Sequence, residues 1–149
     1  MLTLTKTHST NPDFISLVRL LDKDLAIRDG EEHAFYAQFN KIDSIKHVIV
    51  AYKEGEPAGC GAIKQYAEGV AEVKRMFVHP DFRGQGIAKS ILAALEAWAK
   101  ELKYKTTILE TGTKQPEAIA LYKSSGYRQI SNYGQYAGVE NSLCFKKEL

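Results

Sequence analysis

Residues with the potential for chemistry cluster within 72–102, where an apolar extended segment runs through a glycine-rich loop into a helix. The loop reads Arg83-Gly84-Gln85-Gly86-Ile87-Ala88. Such a loop leaves the first N–H groups of the following helix without intrahelical partners, next to the positive end of the helix dipole. The glycines place no side chain between a ligand and the backbone, and Arg83 and Lys89 add positive charge. The loop therefore predicts a phosphate-binding site.

The elements on either side of the loop are those that such a site requires. The segment before it is rich in valine and other apolar residues and is typical of a strand. The helix after it has apolar side chains at every third or fourth position, namely Ile87, Ile91, Leu95, Trp98 and Leu102. That face must pack on a sheet. An ordinary strand-to-helix loop is the alternative interpretation, but the arginine and the amphipathic helix favour the phosphate site.

Two segments resemble the signatures of one family. The loop matches the R/Q-x-x-G-x-G/A signature of the GNAT superfamily of acetyl-coenzyme A-dependent N-acetyltransferases, and the preceding KRMFVHPDF is typical of its bacterial members. Further along the chain, AIALYKSSGY (residues 118–127) resembles the A-x-x-L-Y-x-x-x-G-F/Y segment of the same superfamily. The resemblance implies that acetyl-coenzyme A is the acetyl donor. Many members carry Asn where this chain has Gln115, so we do not assign Gln115 to the site.

The resemblance also implies an α/β (α+β) fold: a mixed, mostly antiparallel central sheet of about six to seven strands, flanked by about four helices. A parallel pair of strands would splay apart at the coenzyme site. The hydropathy pattern agrees, because it predicts strands at 2–5, 47–52, 58–66, 70–78, 106–110, 127–130 and 142–146. Helices are predicted from Pro12, at 31–40, after the loop and from Pro116.

By resemblance, the coenzyme is expected to contact the end of the central strand and the glycine-rich loop. The backbone N–H of Met76 is expected to bind the thioester oxygen at a bulge, and Val78 to pair with the pantetheine arm. The phosphates are expected to lie against the loop and the start of the helix, which contribute Arg83, Gly84, Gln85, Gly86, Ala88 and Lys89.

Acetyl transfer to an amine also needs groups that move protons. A lysine-like amine has a pKa near 10.4, so deprotonation at pH 7 costs roughly 4–5 kcal/mol unless a base assists. Glu72 is the first candidate base, because it matches the catalytic glutamate of the histone-acetylating branch, and Glu110 is the second. For either glutamate, a plain ion pair with Lys74 or Arg75 is the alternative.

Tyr122 stands where the superfamily places its tyrosine general acid, which would protonate the departing coenzyme A thiolate. A tyrosine that follows leucine on a helix is, by itself, more often a half-buried packing residue. The match of the second segment is what favours the catalytic role.

The acceptor is less well defined. By resemblance, the first two helices frame its pocket, where Asp29, Glu31 and Glu32 would either attract a cationic amine or form a solvated acidic first turn. Residues 111–113 and the loop 133–136 are expected to border the same pocket. The sequence does not distinguish a polyamine, an antibiotic, an amino acid derivative or a peptide N-terminus.

Two rival functions remain open. An acyl-coenzyme A-binding regulatory module without chemistry would bind the coenzyme and show no turnover. An oxidoreductase would use a dinucleotide, but Lys89 stands where the third glycine of the G-x-G-x-x-G fingerprint is required, and the loop lies past mid-chain.

The composition limits the class of protein. With 149 residues, the chain has the size of one domain, 1–149. A net charge of +2, from 20 basic and 18 acidic residues, gives no reason to expect a nucleic-acid partner. No apolar run is long enough to span a membrane, and the polar N-terminus does not resemble a secretory signal, so we expect a cytoplasmic monomer or homodimer. Cys60 and Cys144 are expected to be reduced and buried in strands, and the scattered histidines predict no metal site.

Overall fold

The computed structural model describes residues 1–29 and 45–149. Within these residues, the strands are β1 (Leu2–Thr7), β2 (His47–Lys53), β3 (Glu56–Ala67), β4 (Val70–Val78), β5 (Thr106–Gly112), β6 (Arg128–Ile130) and β7 (Ser142–Glu148). The helices are α1 (Pro12–Asp29), α2 (Ile87–Glu101) and α3 (Pro116–Ser124). Short 3₁₀ turns occur at Pro80–Phe82 and Gly134–Tyr136.

The strands form a single seven-stranded sheet in the order β1-β2-β3-β4-β5-β7-β6. Neighbouring strands are antiparallel except for β4 and β5, which are joined through α2 and run parallel. The predicted mixed, mostly antiparallel sheet is therefore confirmed. Three helices fall within the described residues; the predicted helix at 31–40, with Glu31 and Glu32, lies outside them.

The strand ends differ from the predicted ones by a few residues. β1 extends to Thr7 because it pairs with β2 over its whole length, and β7 extends to Glu148 because it pairs with all of β5. β6 begins only at Arg128, since Tyr127 turns into the core, where it is 5% exposed.

Helices cover both faces of the sheet. On one face, α2 buries Ile87, Ile91 and Leu95 against the strands. Leu102, predicted to extend this apolar face, is the residue that ends the helix and is 38% exposed. On the other face, the predicted stripe of α1 is confirmed: Phe14, Leu17, Val18 and Leu21 are buried and Leu25 packs against them. Full burial of one such side chain contributes roughly 1.5–3 kcal/mol, so both helices are held mainly by apolar contact.

Both cysteines are free and buried, Cys60 in β3 and Cys144 in β7. This confirms the prediction of reduced thiols within strands. Burial raises the pKa of Cys60 to about 12 and that of Cys144 to about 11, so the two thiols stay protonated at neutral pH.

Candidate active site

The glycine-rich loop joins the end of β4 to the start of α2. Gly84 and Gly86 have φ angles of +80° and +75°, a left-handed conformation that favours glycine. Gly86 precedes the first residue of α2, and no side chain caps the helix there. Apart from the adjacent residues of the chain, no atom of residues 1–29 and 45–149 would lie within 4 Å of a Cβ atom added at either glycine. The backbone of the turn therefore lies open beside the uncapped helix N-terminus, as anion binding requires.

A cavity of about 300 Å³ lies against this loop, between the end of β4 and α3. Of the predicted coenzyme residues, it is lined by Met76, Val78, Arg83, Gly84, Gly86, Ala88 and Lys89. Gln85 does not line it, and its side chain is exposed. The cavity is large enough for an extended ligand arm and has positive charge at its loop end.

Arg83 folds back over the end of β4. Its Nε donates a hydrogen bond of 2.9 Å to the carbonyl of Val78, and its guanidinium lies 5.6 Å from the centre of the Phe77 ring. These contacts hold a cation at the mouth of the cavity. The sequence predicted the charge and gave no sign of this orientation.

The central strand contains a β-bulge. Ala62 pairs with Lys74 and Cys60 pairs with Phe77, so Gly61 alone lies opposite two residues of β4, Arg75 and Met76. At the bulge, Arg75 has a φ of +61°, which is unusual for a side chain of this size. The bulge that the resemblance implied is therefore present.

Beyond the bulge, β4 separates from its parallel neighbour. The two strands pair only from Val70 to Glu72 with Thr106 to Ile108, although β4 continues to Val78 and β5 to Gly112. The predicted splayed pair is confirmed. Where the strands separate, residues of both line a second cavity.

The second cavity has a volume of about 100 Å³ and lies among polar side chains. Its charged lining consists of Glu72, Lys74, Arg75 and Glu110. Thr111, Gly112 and Tyr136 also line it, in agreement with the expected border of the acceptor pocket. The two cavities meet at five shared residues: Leu21, Met76, Gln115, Ala118 and Tyr122. A donor in one cavity and an acceptor in the other would thus meet at Met76 and Tyr122.

Glu72 has two polar partners at the second cavity. The hydroxyl of Tyr133 donates a hydrogen bond of 2.6 Å to Oε2, and the Nζ of Lys74 lies 3.7 Å from Oε1. The Glu72 side chain is only 10% exposed. The ion pair with Lys74 that sequence reasoning left open is present, and the carboxylate still lines the cavity. Arg75 pairs instead with Asp22 of α1.

Glu110 lies on β5, opposite Cys144 of β7, and reaches the same cavity. Its charge is close enough to act on Tyr122: burial raises the pKa of Tyr122 strongly, and the carboxylate of Glu110 raises it further. The structure therefore brings both candidate bases and the candidate acid to one cavity.

Tyr122 is 6% exposed and packs edge-on against Tyr127, with 5.9 Å between the ring centres. It also lines both cavities. Tyr122 can therefore be both a packing residue and a site residue, because its ring faces the core while part of the side chain borders the cavities. Since its pKa is raised, the hydroxyl keeps its proton throughout the neutral range and is available as a donor.

Sequence reasoning missed two features. Tyr133 was expected only to border the pocket, but its hydroxyl binds Glu72, and burial, followed by the charge of Glu72, raises the pKa of Tyr133. Arg75 was considered only as an ion-pair partner of Glu72 or Glu110. In a regular strand, side chains alternate between the two faces of the sheet, so Arg75 would lie on the face opposite Lys74. The one sequence signal for a bulge is Gly61 on the neighbouring strand, which lies opposite Arg75 and Met76.

Residues 1–29 and 45–149 show neither a membrane-spanning helix nor a cluster of metal ligands. No helix in these ranges is both long enough and apolar enough to cross a membrane. No three side chains of the histidine, cysteine, aspartate or glutamate type gather there as a metal site.

Comparisons with known proteins place this geometry in context. A family model described as Acetyltransferase (GNAT) family matches residues 14–127. An IAA acetyltransferase of Azospirillum brasilense is 39% identical over 102 residues, which cover 68% of this chain and 67% of that protein. An aminoalkylphosphonate N-acetyltransferase of Salmonella typhimurium is 30% identical, with 83% and 81% covered. The crystal structure of a Klebsiella pneumoniae protein described as an acyl-CoA N-acyltransferase is 32% identical, covers 100% of this chain and 98% of its own, and has a TM-score of 0.84.

Proposed function

The chain belongs to the GNAT family of acetyltransferases, and from that premise we propose that it transfers the acetyl group of acetyl-coenzyme A to a primary amine of a small molecule or peptide. The observation that carries the proposal is the meeting of two cavities at Met76 and Tyr122, one beside the glycine-rich turn and one lined by Glu72 and Glu110 among other residues. The name of the Klebsiella relative supports an acyl-coenzyme A as the donor.

The coenzyme would lie in the larger cavity, with its pyrophosphate on the turn at Gly84 and Gly86. The uncapped N–H groups at the start of α2 would bind the phosphate oxygens, and Arg83 and Lys89 would add charge. The pantetheine arm would follow β4 past Val78 into the gap between β4 and β5. A strand that has lost its neighbour offers backbone donors and acceptors to such an arm.

The chemical step would be direct attack of the neutral amine nitrogen on the thioester carbonyl carbon. The carbon–nitrogen bond forms, negative charge grows on the carbonyl oxygen, and the N–H of Met76 at the bulge donates to that oxygen. A single donor of this type is commonly worth about 3 kcal/mol of transition-state stabilisation. The carbon–sulfur bond then breaks, and coenzyme A leaves as a thiolate.

Protons move in two places. The amine must lose one, and we assign it to Glu72, with Glu110 as the alternative acceptor, since both carboxylates line the acceptor cavity. The departing thiolate accepts a hydrogen bond and finally a proton from Tyr122. Because burial raises the pKa of Tyr122, the tyrosinate is a short-lived species: it regains a proton from the attacking nitrogen, which must lose a second proton once the carbon–nitrogen bond has formed.

The rival proposal, an acyl-coenzyme A-binding regulatory module, makes no use of the acids that line the second cavity. The two proposals are separated by Tyr122→Phe, which removes one hydroxyl and keeps the ring that packs on Tyr127. An enzyme should lose turnover by about 10- to 100-fold, the equivalent of a hydrogen bond to a charged group, with coenzyme affinity retained. A regulatory module would show no turnover before or after the change.

The matched control is Tyr127→Phe, because the Tyr127 hydroxyl bonds Thr107 at 2.8 Å and borders neither cavity. This variant should lose stability and keep its turnover.

Binding is measured first, by thermal shift with acetyl-coenzyme A, coenzyme A and NAD in parallel. A ligand at a hundred times its dissociation constant adds about 2.7 kcal/mol of stability. Stabilisation by NAD and not by coenzyme A would overturn the proposal.

Residence in the cytoplasm and assembly as a monomer or homodimer stay predictions.

A further inference from the structure

The bulge in β4 turns two successive basic side chains toward the α1 face of the sheet. Residues of a regular strand alternate between faces, but the left-handed backbone of Arg75 breaks the alternation. Lys74 reaches Glu72 at 3.7 Å, and Arg75 reaches Asp22 of α1 at 3.1 Å. Both basic residues line the smaller cavity.

The guanidinium of Arg75 is buried and only partly satisfied. Its side chain is 2% exposed, and Nη1 donates to Asp22. For Nε and Nη2, no acceptor lies within hydrogen-bond distance among residues 1–29 and 45–149, and both atoms are shielded from water. Burial lowers the pKa of Arg75, and Asp22 opposes that effect. A buried donor without a partner is costly and is rare in native proteins, so its presence calls for a ligand or a functional reason.

The backbone at the same residue adds a second, independent observation. A non-glycine residue at φ +61° is strained, and such strain is found preferentially at ligand-binding positions. Arg75 is also adjacent to Met76, which lies where the two cavities meet. The unsatisfied guanidinium and the strained backbone thus coincide at the wall of the acceptor cavity.

The opposite charge is present in the same cavity. Glu72 and Glu110 contribute two carboxylates, and Lys74 and Arg75 contribute two cations. Within the part of the chain that the structure describes, the lining thus offers partners for groups of either sign, which suits a ligand that carries both a positive and a negative charge. The volume of about 100 Å³ lies well below the roughly 300–1,000 Å³ of pockets for drug-sized ligands, so it favours an acceptor of few atoms.

We propose that the acceptor is a small amine that also carries an anionic group, a carboxylate or a phosphonate, which Arg75 binds. This deepens the proposed function and rests on it for the reaction. The amine points to Glu72 and Glu110, and the anionic group accepts hydrogen bonds from Nε and Nη2 in the two-pronged geometry that guanidinium favours. Both nitrogens are shielded from water, so ligand binding requires the guanidinium to turn toward the anionic group, and the half-exposed Asp22 carboxylate then becomes solvated.

The competing explanation is that Arg75 only fastens α1 to β4 through Asp22. A fastening role predicts a change in stability and no change in the choice of acceptor. The discriminating readout is therefore a ratio of kcat/KM values for acceptor pairs that differ only in the acid.

The experiment compares glycine, β-alanine and γ-aminobutyrate, and the aminoalkylphosphonates of the same lengths, with alkylamines of matched length. Wild-type protein should prefer at least one acid-bearing amine by tenfold or more, and the two acid series reveal which acid is preferred. Arg75→Met should bring the ratio close to one. Arg75→Lys should leave an intermediate ratio, because lysine keeps the positive charge but lacks the two parallel N–H donors of the guanidinium. The control is Arg128→Met, which removes an exposed arginine paired with Glu148 and outside both cavities.

A second readout does not depend on turnover. With coenzyme A bound, propionate and ethylphosphonate should raise the melting temperature of the wild-type and Arg128→Met proteins above that in chloride of equal ionic strength, and should not do so for Arg75→Met. Stabilisation through Arg75 without acetylation of any amine would sustain the anion site and refute the proposed function. Turnover without acid preference, or a preference that survives Arg75→Met, would refute the anion site alone.

Discussion

The proposed phosphate site on the glycine-rich turn can be tested at Gly86, by comparing Gly86→Asp with Gly86→Asn. The two side chains have nearly the same shape and differ by one negative charge. In the described part of the chain, no atom beyond the adjacent residues lies within 4 Å of the added Cβ, so neither side chain causes a clash there. Both must adopt φ near +75°, at a cost of roughly 1–2 kcal/mol that asparagine and aspartate tolerate better than other residues. The pair therefore isolates the charge from the shape.

The two variants should respond oppositely in folding and in binding. A carboxylate at the start of α2 interacts favourably with the helix dipole, by about 0.3–1 kcal/mol, so the Asp variant should be at least as stable as the Asn variant. If a phosphate on the turn and that carboxylate are separated by about 6 Å, the two unit charges repel by about 1.4–2.8 kcal/mol at an effective dielectric constant of about 40–20. Coenzyme A should therefore bind about 10- to 100-fold more weakly to the Asp variant than to the Asn variant.

Calorimetric titration of coenzyme A into each variant gives the ratio, and thermal melting without ligand gives the stabilities. Repeating the titration at high salt should shrink the ratio, since salt shortens the range of charge repulsion to about 3 Å at 1 M. Equal affinities for the two variants at low salt would refute a phosphate on this turn. A ratio that does not depend on salt would show that the loss has another cause.

Three further predictions test the base, the bulge and the buried thiols. Glu72→Gln should lower kcat by about 100-fold or more if Glu72 is the base, while its amide oxygen still accepts the Tyr133 hydrogen bond; if Glu110→Gln has the larger effect, the roles are reversed. Gly61→Ala should destabilise the protein by about 1–3 kcal/mol, because the new Cβ would lie 2.5 Å from the Met76 sulfur and 2.8 Å from Leu95. Thermal melting measures the loss of stability. Adding Met76→Ala should restore part of that loss, because it removes the nearest clashing atom. The free energy of unfolding should fall as the pH rises from 8 to 10. In the unfolded chain the two thiols ionise near their ordinary pKa of about 8.5, whereas in the folded protein Cys60 and Cys144 stay protonated up to pKa values of about 12 and 11. Urea titrations measure this fall, which should be shallower in the Cys60→Ala/Cys144→Ala protein.

The parts of the site that sequence predicted best are those that depend on neighbours in the chain. The turn at Gly84 and Gly86 needs only glycines before an amphipathic helix, and the parallel pairing of β4 with β5 follows from a helical crossover between them. Both could be inferred from local patterns and from the family resemblance.

The parts that sequence did not predict depend on distant contacts or on a single extra residue. One additional residue in β4 moves Arg75 to the face of Lys74, and no pattern in β4 alone signals it. The bond from Tyr133 to Glu72 joins residues that are 61 positions apart, so it depends on how the loop before β7 packs. Arg83 likewise folds back to Val78 because of the path of the turn.

The short pairing of β4 with β5 also determines how the sheet is held together. The ladder between β4 and β5, where the half formed by β1 to β4 meets the half formed by β5 to β7, contains three residue pairs. Side chains make the connection instead: Ile49 and Val73 from the first half share one apolar cluster with Leu109 and Phe145 from the second. Each missing backbone hydrogen bond forgoes about 0.5–1.5 kcal/mol of net stability, which this shared cluster offsets. The two half-sheets are thus joined by packing where their ladder ends, and this is what allows a reactive gap to remain open inside a continuous sheet.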